Sequence, residues 1–295
     1  MNKLFKNLQS ARKNYIFYLF IFPAVFYLIL FVMYPLIHGF VISFQKYGLL
    51  GFKKFVWLDN YLKLFGDIYF YQTIGNTLIM TAGIVLISVT IPIIFAVAID
   101  KVLVERIKKT IQTTLYVPYL LSSLIIVGIF VNLLSPTGPF NTLLQKTGLI
   151  NESIPFFTNG VLSQIMLIIM TGWKDIGYNT LIYLAALTAV NPALYEAASI
   201  DGANIFQKTI HITIPGISGT IKIVFLMTLM GAMRTFDMSY VVLNSANYKA
   251  ATTAIVYTYE QGILKFDMGL ASAAAGIIFF LSLFLMFVVK KLIRY

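Results

Sequence analysis

The sequence predicts an all-α integral membrane protein with six transmembrane helices and a polar loop between the fourth and the fifth. Three observations carry that prediction. Hydrophobic residues make up 59% of the 295 and charged residues only 11%, against roughly 25% charged in soluble globular chains. Mean hydropathy is +0.84, so lipid rather than water solvates most of the chain. The apolar residues fall into six runs, each near the ~20 residues that a helix needs to cross the hydrocarbon core. Cysteine is absent, which excludes disulfides, thiolate metal sites and a cysteine nucleophile.

In chain order the spans run approximately from Tyr15 to Phe44, Ile74 to Ile99, Ile111 to Leu134, Val161 to Val190, Gly216 to Leu243 and Gly269 to Val289. The first has too long an apolar run for a signal peptide, and no small-residue cleavage site follows it. Pro23 and Pro35 in it, and Pro92 in the second, sit where neighbouring helices can support a kink. In the sixth, Gly269 and Ala273, and Ser272 and Gly276, lie four apart. Small residues on one face let another helix come close, either inside the bundle or across a subunit contact.

Lysine and arginine set the orientation. Lys3, Lys6, Arg12, Lys13, Lys101, Arg106, Lys108, Lys109, Lys208, Lys222, Lys290, Lys291 and Arg294 fall on one side. Lys46, Lys53, Lys54, Lys63, Lys146, Lys249 and Lys265 fall on the other. The richer side is expected to be cytoplasmic, which places both termini there and makes residues 1–14 a basic cytoplasmic N-terminus. The net charge of +11 thus flanks membrane spans, and nucleic-acid binding is not expected.

The loop between the fourth and fifth spans, about residues 191–215, is a polar island. Asn191 can cap a helix and Pro192 suits its first position. Glu196 then lies in the first turns, where the helix dipole favours a carboxylate. Ala197 and Ala198 favour helix and leave room for another surface. Asp201-Gly202 ends this helix, and a second stretch runs from about Ala203 to Pro215. Phe206, Ile210 and Ile214 recur four apart on its apolar flank. A bent helix pair with a small tip suits insertion into a partner's cleft; it equally suits lying on lipid headgroups.

Glu196, Ala197, Ala198, Asp201, Gly202, Ala203, Ile212 and Pro215 stand in the order and spacing of a known signature. It is Glu-Ala-Ala, two residues, Asp-Gly-Ala, then an Ile and a Pro at fixed distance. The chain therefore resembles the permease subunits of binding-protein-dependent ABC importers. It departs from them at Thr209 and Ile210, where bulky aromatics are frequent. The resemblance covers nearly the whole chain and is closest to the carbohydrate-uptake branch, of maltose, multiple-sugar and glycerol-phosphate type. Trp57-Leu58-Asp59-Asn60-Tyr61, Asp67, Phe70 and Asn76-Thr77 look like that branch's first outer loop and second-span entry. Trp173 and Gly177-Tyr178-Asn179 look like its fourth span. Thr235-Phe236-Asp237, Tyr240 and Ala251-Thr252-Thr253 look like its fifth span and exit.

The resemblance implies that residues 15–295 form a six-helix permease domain in the cytoplasmic membrane. Its loop would dock as a coupling helix into an ATP-hydrolysing subunit. The implied partners are a second homologous permease, two ATP-binding subunits, an extracytoplasmic solute-binding protein, a sugar and the bilayer. No cofactor is expected on this chain, since ATP and magnesium would sit on the partner ATPase. The sequence carries no phosphate-binding G-x-x-x-x-G-K-[ST] loop. Its two histidines, His38 and His211, do not suggest a metal pair. No catalytic constellation is present, so the chain is expected not to be an enzyme.

Four ionisable residues fall inside spans: Lys174, Asp175, Arg234 and Asp237. Each would cost about 2.5–3.5 kcal/mol at a lipid-facing helix centre, so each should face the bundle interior or water. Lys174 and Asp175 are adjacent and cannot pair along a helix, whereas Arg234 and Asp237, three apart, can. Arg234 can also snorkel toward the outer surface. The resemblance places ligand contacts around Thr171, Trp173, Lys174 and Asp175, and along Thr228, Ala232 and Thr235. A sugar's flat apolar face suits an aromatic plane beside hydrogen-bonding groups, although Trp173 serves equally as a packed interface residue. In some members of the branch one of the two permeases alone holds the sugar. A separate alternative is an ion-coupled secondary transporter that uses Lys174 and Asp175 as a relay.

Overall fold

The computed structural model describes residues 15–292. The basic segment 1–14, with Lys3, Lys6, Arg12 and Lys13, lies outside the described residues, as does Arg294. Lipid offers no partner for a backbone amide, so apolar segments must satisfy their hydrogen bonds internally. Nearly every element is accordingly helical.

The described residues begin with α1 (Tyr15–Leu28), a π turn (Ile29–Met33) and α2 (Tyr34–Ser43). Pro35 cannot donate a backbone hydrogen bond to the preceding turn, and the wider π turn falls just before it. Next come β1 (Gln45–Gly48), β2 (Gly51–Phe55) and α3 (Asp59–Phe65). Then follow α4 (Ile68–Asp100), α5 (Glu105–Leu120), α6 (Ser123–Leu134), α7 (Pro139–Lys146) and α8 (Gly160–Leu187). The loop region holds α9 (Pro192–Ile200), α10 (Ile205–Lys208), a π turn (Thr209–Thr213) and α11 (Ile214–Gly216). After it run α12 (Ser218–Ala232), α13 (Asp237–Val242), α14 (Tyr248–Ala251) and α15 (Ala254–Tyr259). A third π turn (Glu260–Leu264) leads to α16 (Met268–Leu292).

Four stretches are individually long and apolar enough to cross a membrane: Ile16–Ser43, Ile68–Asp100, Ser123–Lys146 and Met268–Lys291. Two bent pairs would bring the total up to six if each counts as one span. Gly160–Leu187 meets Pro192–Ile200 at 76°, and Ile205–Gly216 meets Ser218–Ala232 at 68°. The class is therefore an all-α integral membrane protein.

Three expectations need correction. The third span does not run unbroken from Ile111 to Leu134: Leu121 is extended, and Ser122 caps a new helix by accepting from the Ile125 amide. Pro118 in the last turn of α5 and the serines after it favour that break. The fifth span does not continue as helix from Gly216 to Leu243, because α12 ends at Ala232 and α13 starts at Asp237. Finally, a small antiparallel hairpin, β1 with β2, interrupts the otherwise helical chain.

The described chain divides into two compact units. In the first, formed by residues through Leu64 with Gln261–Gly276, the hairpin is tied down by Asn60. Its buried amide donates to the carbonyls of Ser43 (2.8 Å) and Gln45 (3.0 Å). Gly269 lies against the same Gln45 carbonyl, and Gly276 faces Phe40 and Tyr61. The small-residue stripe of the last span thus packs within this unit rather than across a subunit contact.

The second unit holds Phe65–Glu260 with Ile277–Tyr295, and its axis is the pair α4 and α8. Gly83 of α4 lies under the Ile168 side chain of α8, while Gly172 of α8 lies under Ile87 of α4. Each isoleucine fills the space its partner glycine leaves, so the helices approach closely. One core layer joins Met80 and Ile84 to Ile126, Leu167, Met170 and Met238. A second gathers Ala96, Ile99, Tyr183, Leu187, Ile217 and Val224. Side-chain amides pin the layers: buried Asn179 donates to the Ser88 carbonyl at 2.8 Å, and half-buried Asn76 to those of Lys249 (2.8 Å) and Thr252 (3.0 Å).

Candidate functional site

The polar island is built from two short helices whose ends are closed by their own side chains. Asn191 caps α9 by accepting from the Ala193 amide at 3.0 Å, with Pro192 in the first turn. Gly202 takes a left-handed φ of 75°, a conformation glycine adopts without a side-chain penalty. The reversal lets the Ala203 amide return to the Ala198 carbonyl at 2.9 Å. Asn204 and Gln207 then close a reciprocal capping box, at 2.9 and 2.8 Å. The second helix thus starts at Ile205, slightly later than Ala203, because Asn204 is its cap.

Two contacts fix the angle between these helices. Lys208 Nζ donates to Ser199 Oγ at 2.7 Å, and the hydroxyls of Tyr195 and Thr213 meet at 3.0 Å. Lys101 stands over the Tyr195 ring, 5.1 Å from its centroid. The structure brings Ala198, Asp201, Gly202, Ala203 and Ile212 around one cleft of about 310 Å³, together with Gln207, Lys208 and His211. Glu196, Ala197 and Pro215 lie outside that lining and are exposed. Ile200 and Phe206 leave 87% and 72% of their surface open, so these two have little cover among the described residues.

A second cavity, of about 320 Å³, opens among the spans of the larger unit. α8 contributes Thr171, Lys174, Asp175 and Tyr178 to it, positions that share one helix face. Thr228, Ala232, Arg234, Thr235 and Asp237 form the facing wall. The break after α12 puts the last three there. Arg234 and Thr235 turn back onto the carbonyls of Gly231 and Ala232, at 3.0 and 3.1 Å. Thr253 Oγ1 holds the Thr235 carbonyl at 3.0 Å. Arg234 and Asp237 consequently do not share a helix, and no ion pair forms between them. Lys174 Nζ instead donates to Ser123 Oγ at 3.3 Å.

Trp173 is absent from the lining and packs edge-on against Phe130, with centroids 5.6 Å apart. The aromatic surface of the cavity is Phe236 together with Tyr119 and Tyr178, and the two tyrosine rings stack at 4.5 Å and 9°. Gly177 makes that stack possible: a Cβ there would strike the Leu115 carbonyl, so α5 and α8 meet almost backbone to backbone. Tyr119, Ser123 and Tyr178 are wall residues the sequence did not single out. Tyr178 was within reach, lying seven residues from Thr171 and four from Lys174. Tyr119 and Ser123 carry no such signal, because the break at Leu121 sets their direction.

Chemically, the cavity offers two cations, two carboxylates, hydroxyls and a stacked aromatic pair in one space. It can hydrogen-bond a polar solute and press a flat apolar face against a ring. Among the described residues, no group of three or more His, Asp or Glu is placed to hold a metal ion.

The architecture is that of a multi-pass membrane protein with a polar chamber among its helices and an exposed helical loop. The chain belongs to the family of binding-protein-dependent transport system inner membrane components, which matches residues 88–294. It is 34% identical over 273 residues to the polygalacturonan/rhamnogalacturonan transport system permease protein YteP of Bacillus subtilis (strain 168), covering 88% of this chain and 84% of that one. The arabinooligosaccharides transport system permease protein AraP of the same organism is 33% identical over 265 residues, covering 88% and 82%. A chain in the crystal structure of a bacterial alginate ABC transporter, in complex with an alginate pentasaccharide-bound periplasmic protein, superposes with a TM-score of 0.87. It is 27% identical, with 97% of this chain and 96% of that chain covered. By family and by its apolar helices, the protein is a multi-pass inner membrane transport component.

Proposed function

We propose that this chain is one membrane-spanning subunit of an ATP-driven sugar importer. It forms half of the translocation pathway and couples that pathway to ATPase subunits in trans. The observation that carries the proposal is the exposed island at Glu196–Pro215, hung between two sharply bent spans. Its small residues line a cleft and its large apolar residues lie open. Glu196, Ala197, Ala198, Asp201, Gly202, Ala203, Ile212 and Pro215 make the docking surface in this reading. Lys208 and Tyr195 keep it stiff, so a push on the tip is delivered to α8 and α12 instead of bending the loop. Those two helices carry the cavity walls, and tilting one against the other opens or closes the chamber.

The sugar passes along Thr171, Lys174, Asp175, Thr228, Ala232, Arg234, Thr235 and Asp237, with the Tyr119–Tyr178 stack as its apolar contact. The oligosaccharide and polysaccharide carriers among the similar proteins support an oligosaccharide as cargo. The full assembly holds a second homologous permease, two ATP-binding subunits and an extracytoplasmic binding protein. Both termini, including the basic residues 1–14, face the cytoplasm, and residues 15–295 make up the permease domain. ATP and magnesium are held by the partner ATPase.

The test is the energy source. Proteoliposomes containing the assembled complex should take up radiolabelled oligosaccharide only with ATP inside, and dissipating ion gradients should leave uptake intact. Uptake driven by an ion gradient without ATP would sink the assignment in favour of a relay through Lys174 and Asp175.

A further inference from the structure

The hairpin β1–β2 is amphipathic in a way its sequence conceals. Phe52 and Phe55 are three residues apart, and an odd spacing puts side chains on opposite faces of a regular strand. The register, however, slips between Lys46 and Tyr47: Lys46 pairs with Lys54, while Tyr47 pairs with Phe52. Lys53 is the extra residue, and the bulge restores both phenylalanines to one face. Their rings meet at 5.5 Å, and Trp57 extends the row at 6.3 Å from Phe55. These residues are open: Phe52 and Phe55 are each 52% exposed and Trp57 is 74% exposed. Trp57 also holds a left-handed φ of 50°, which is costly for an aromatic residue and turns its ring outward. The opposite face carries Lys46 directly across from Lys54, a like-charge juxtaposition that destabilises an isolated sheet.

We infer that this hairpin is a membrane-interface anchor, its aromatic face seated at the acyl boundary and its lysines at the phosphate level of the headgroups. Continuity along the chain argues for lipid as the occupant. The hairpin begins at Gln45, with Phe44 alone between it and α2, which closes the apolar stretch Ile16–Ser43 that is long enough to end at the bilayer boundary. Aromatic rings concentrate at that depth. Charge complementarity agrees, because residues 15–58 contain Lys46, Lys53 and Lys54 and no carboxylate, and anionic headgroups relieve the Lys46–Lys54 repulsion. The inference needs only a membrane-spanning chain and stands apart from the importer reading.

The absence of cysteine makes the experiment clean. The full chain carrying Phe52→Cys or Lys54→Cys is labelled with an environment-sensitive nitrobenzoxadiazole probe. It is then placed in nanodiscs of phosphatidylcholine and phosphatidylglycerol. The probe at position 52 should shift its emission to the blue and be quenched more by a lipid-borne nitroxide than by a water-soluble one. At position 54 the order of quenching should reverse. Should Phe52→Cys not fold, Phe55→Cys reads the same face. Equal aqueous quenching at both positions overturns the anchor. Shielding at 52 that appears only when partner subunits or the binding protein are added, without lipid quenching, overturns it in favour of a protein contact.

Discussion

A methyl group at position 177 has nowhere to go, because the Leu115 carbonyl of α5 occupies the space it would fill. Gly177→Ala should therefore pry α5 from α8 and separate Tyr119 from Tyr178. Overpacking of this kind costs about 1–3 kcal/mol. Thermal unfolding in detergent should show a lowered midpoint, and an unchanged midpoint would mean that the helices shift without cost. Lys174 and Trp173 make a paired prediction on neighbouring positions. Lys174→Met removes a cavity-facing cation and should raise the KM for uptake. Trp173→Phe keeps the edge contact with Phe130 and should leave uptake kinetics unchanged; the opposite pattern would put the pathway on the other face of α8. Residue type foretold the ionisable positions well, because charge inside a span is rarely idle. For Trp173 residue type alone left a binding plane and a packed interface equally open, and the helical phase of α8 turns it onto Phe130.

Elements differ in how plainly their ends are written. Capping made the first half of the island legible: Asn191-Pro192 starts α9 and Gly202 ends it, whereas the Asn204–Gln207 box that starts α10 was not singled out. The breaks after Leu120 and Ala232 were not legible from hydropathy, since apolar residues resume beyond Ser122-Ser123 and beyond Asp237, and a lone Gly231 is tolerated inside a membrane helix. The hairpin was hidden for the opposite reason, lying in a short, lysine-bearing stretch that reads as an outer loop. The island's tip supports a test at this scale. Gly202 has open space around its Cα, so Gly202→Asp strains the backbone by roughly 1–2 kcal/mol without a collision. Membrane insertion should be normal and co-purification with the ATPase subunit sharply reduced. Full recovery of the ATPase together with normal uptake would remove the loop from coupling.

At the level of the whole molecule, the lysine and arginine bias and the two basic chain ends favour cytoplasmic termini. A chain without cysteine makes this measurable. Ser199→Cys should react with a membrane-impermeant maleimide in inverted vesicles and stay unmodified in intact spheroplasts; the reverse labelling would invert the topology. Fold class was readable because hydropathy integrates over some twenty residues and tolerates local error. The cargo was not readable, since the chamber is assembled from residues far apart in sequence, such as Ile84, Lys174 and Asp237. The interlocked glycines and isoleucines of α4 and α8 carry a consequence for descent. Gly83 can enlarge only if Ile168 shrinks, and Gly172 only if Ile87 does. Across divergent lineages, these four positions should change as two linked couples, each first step deleterious until its compensating second arrives.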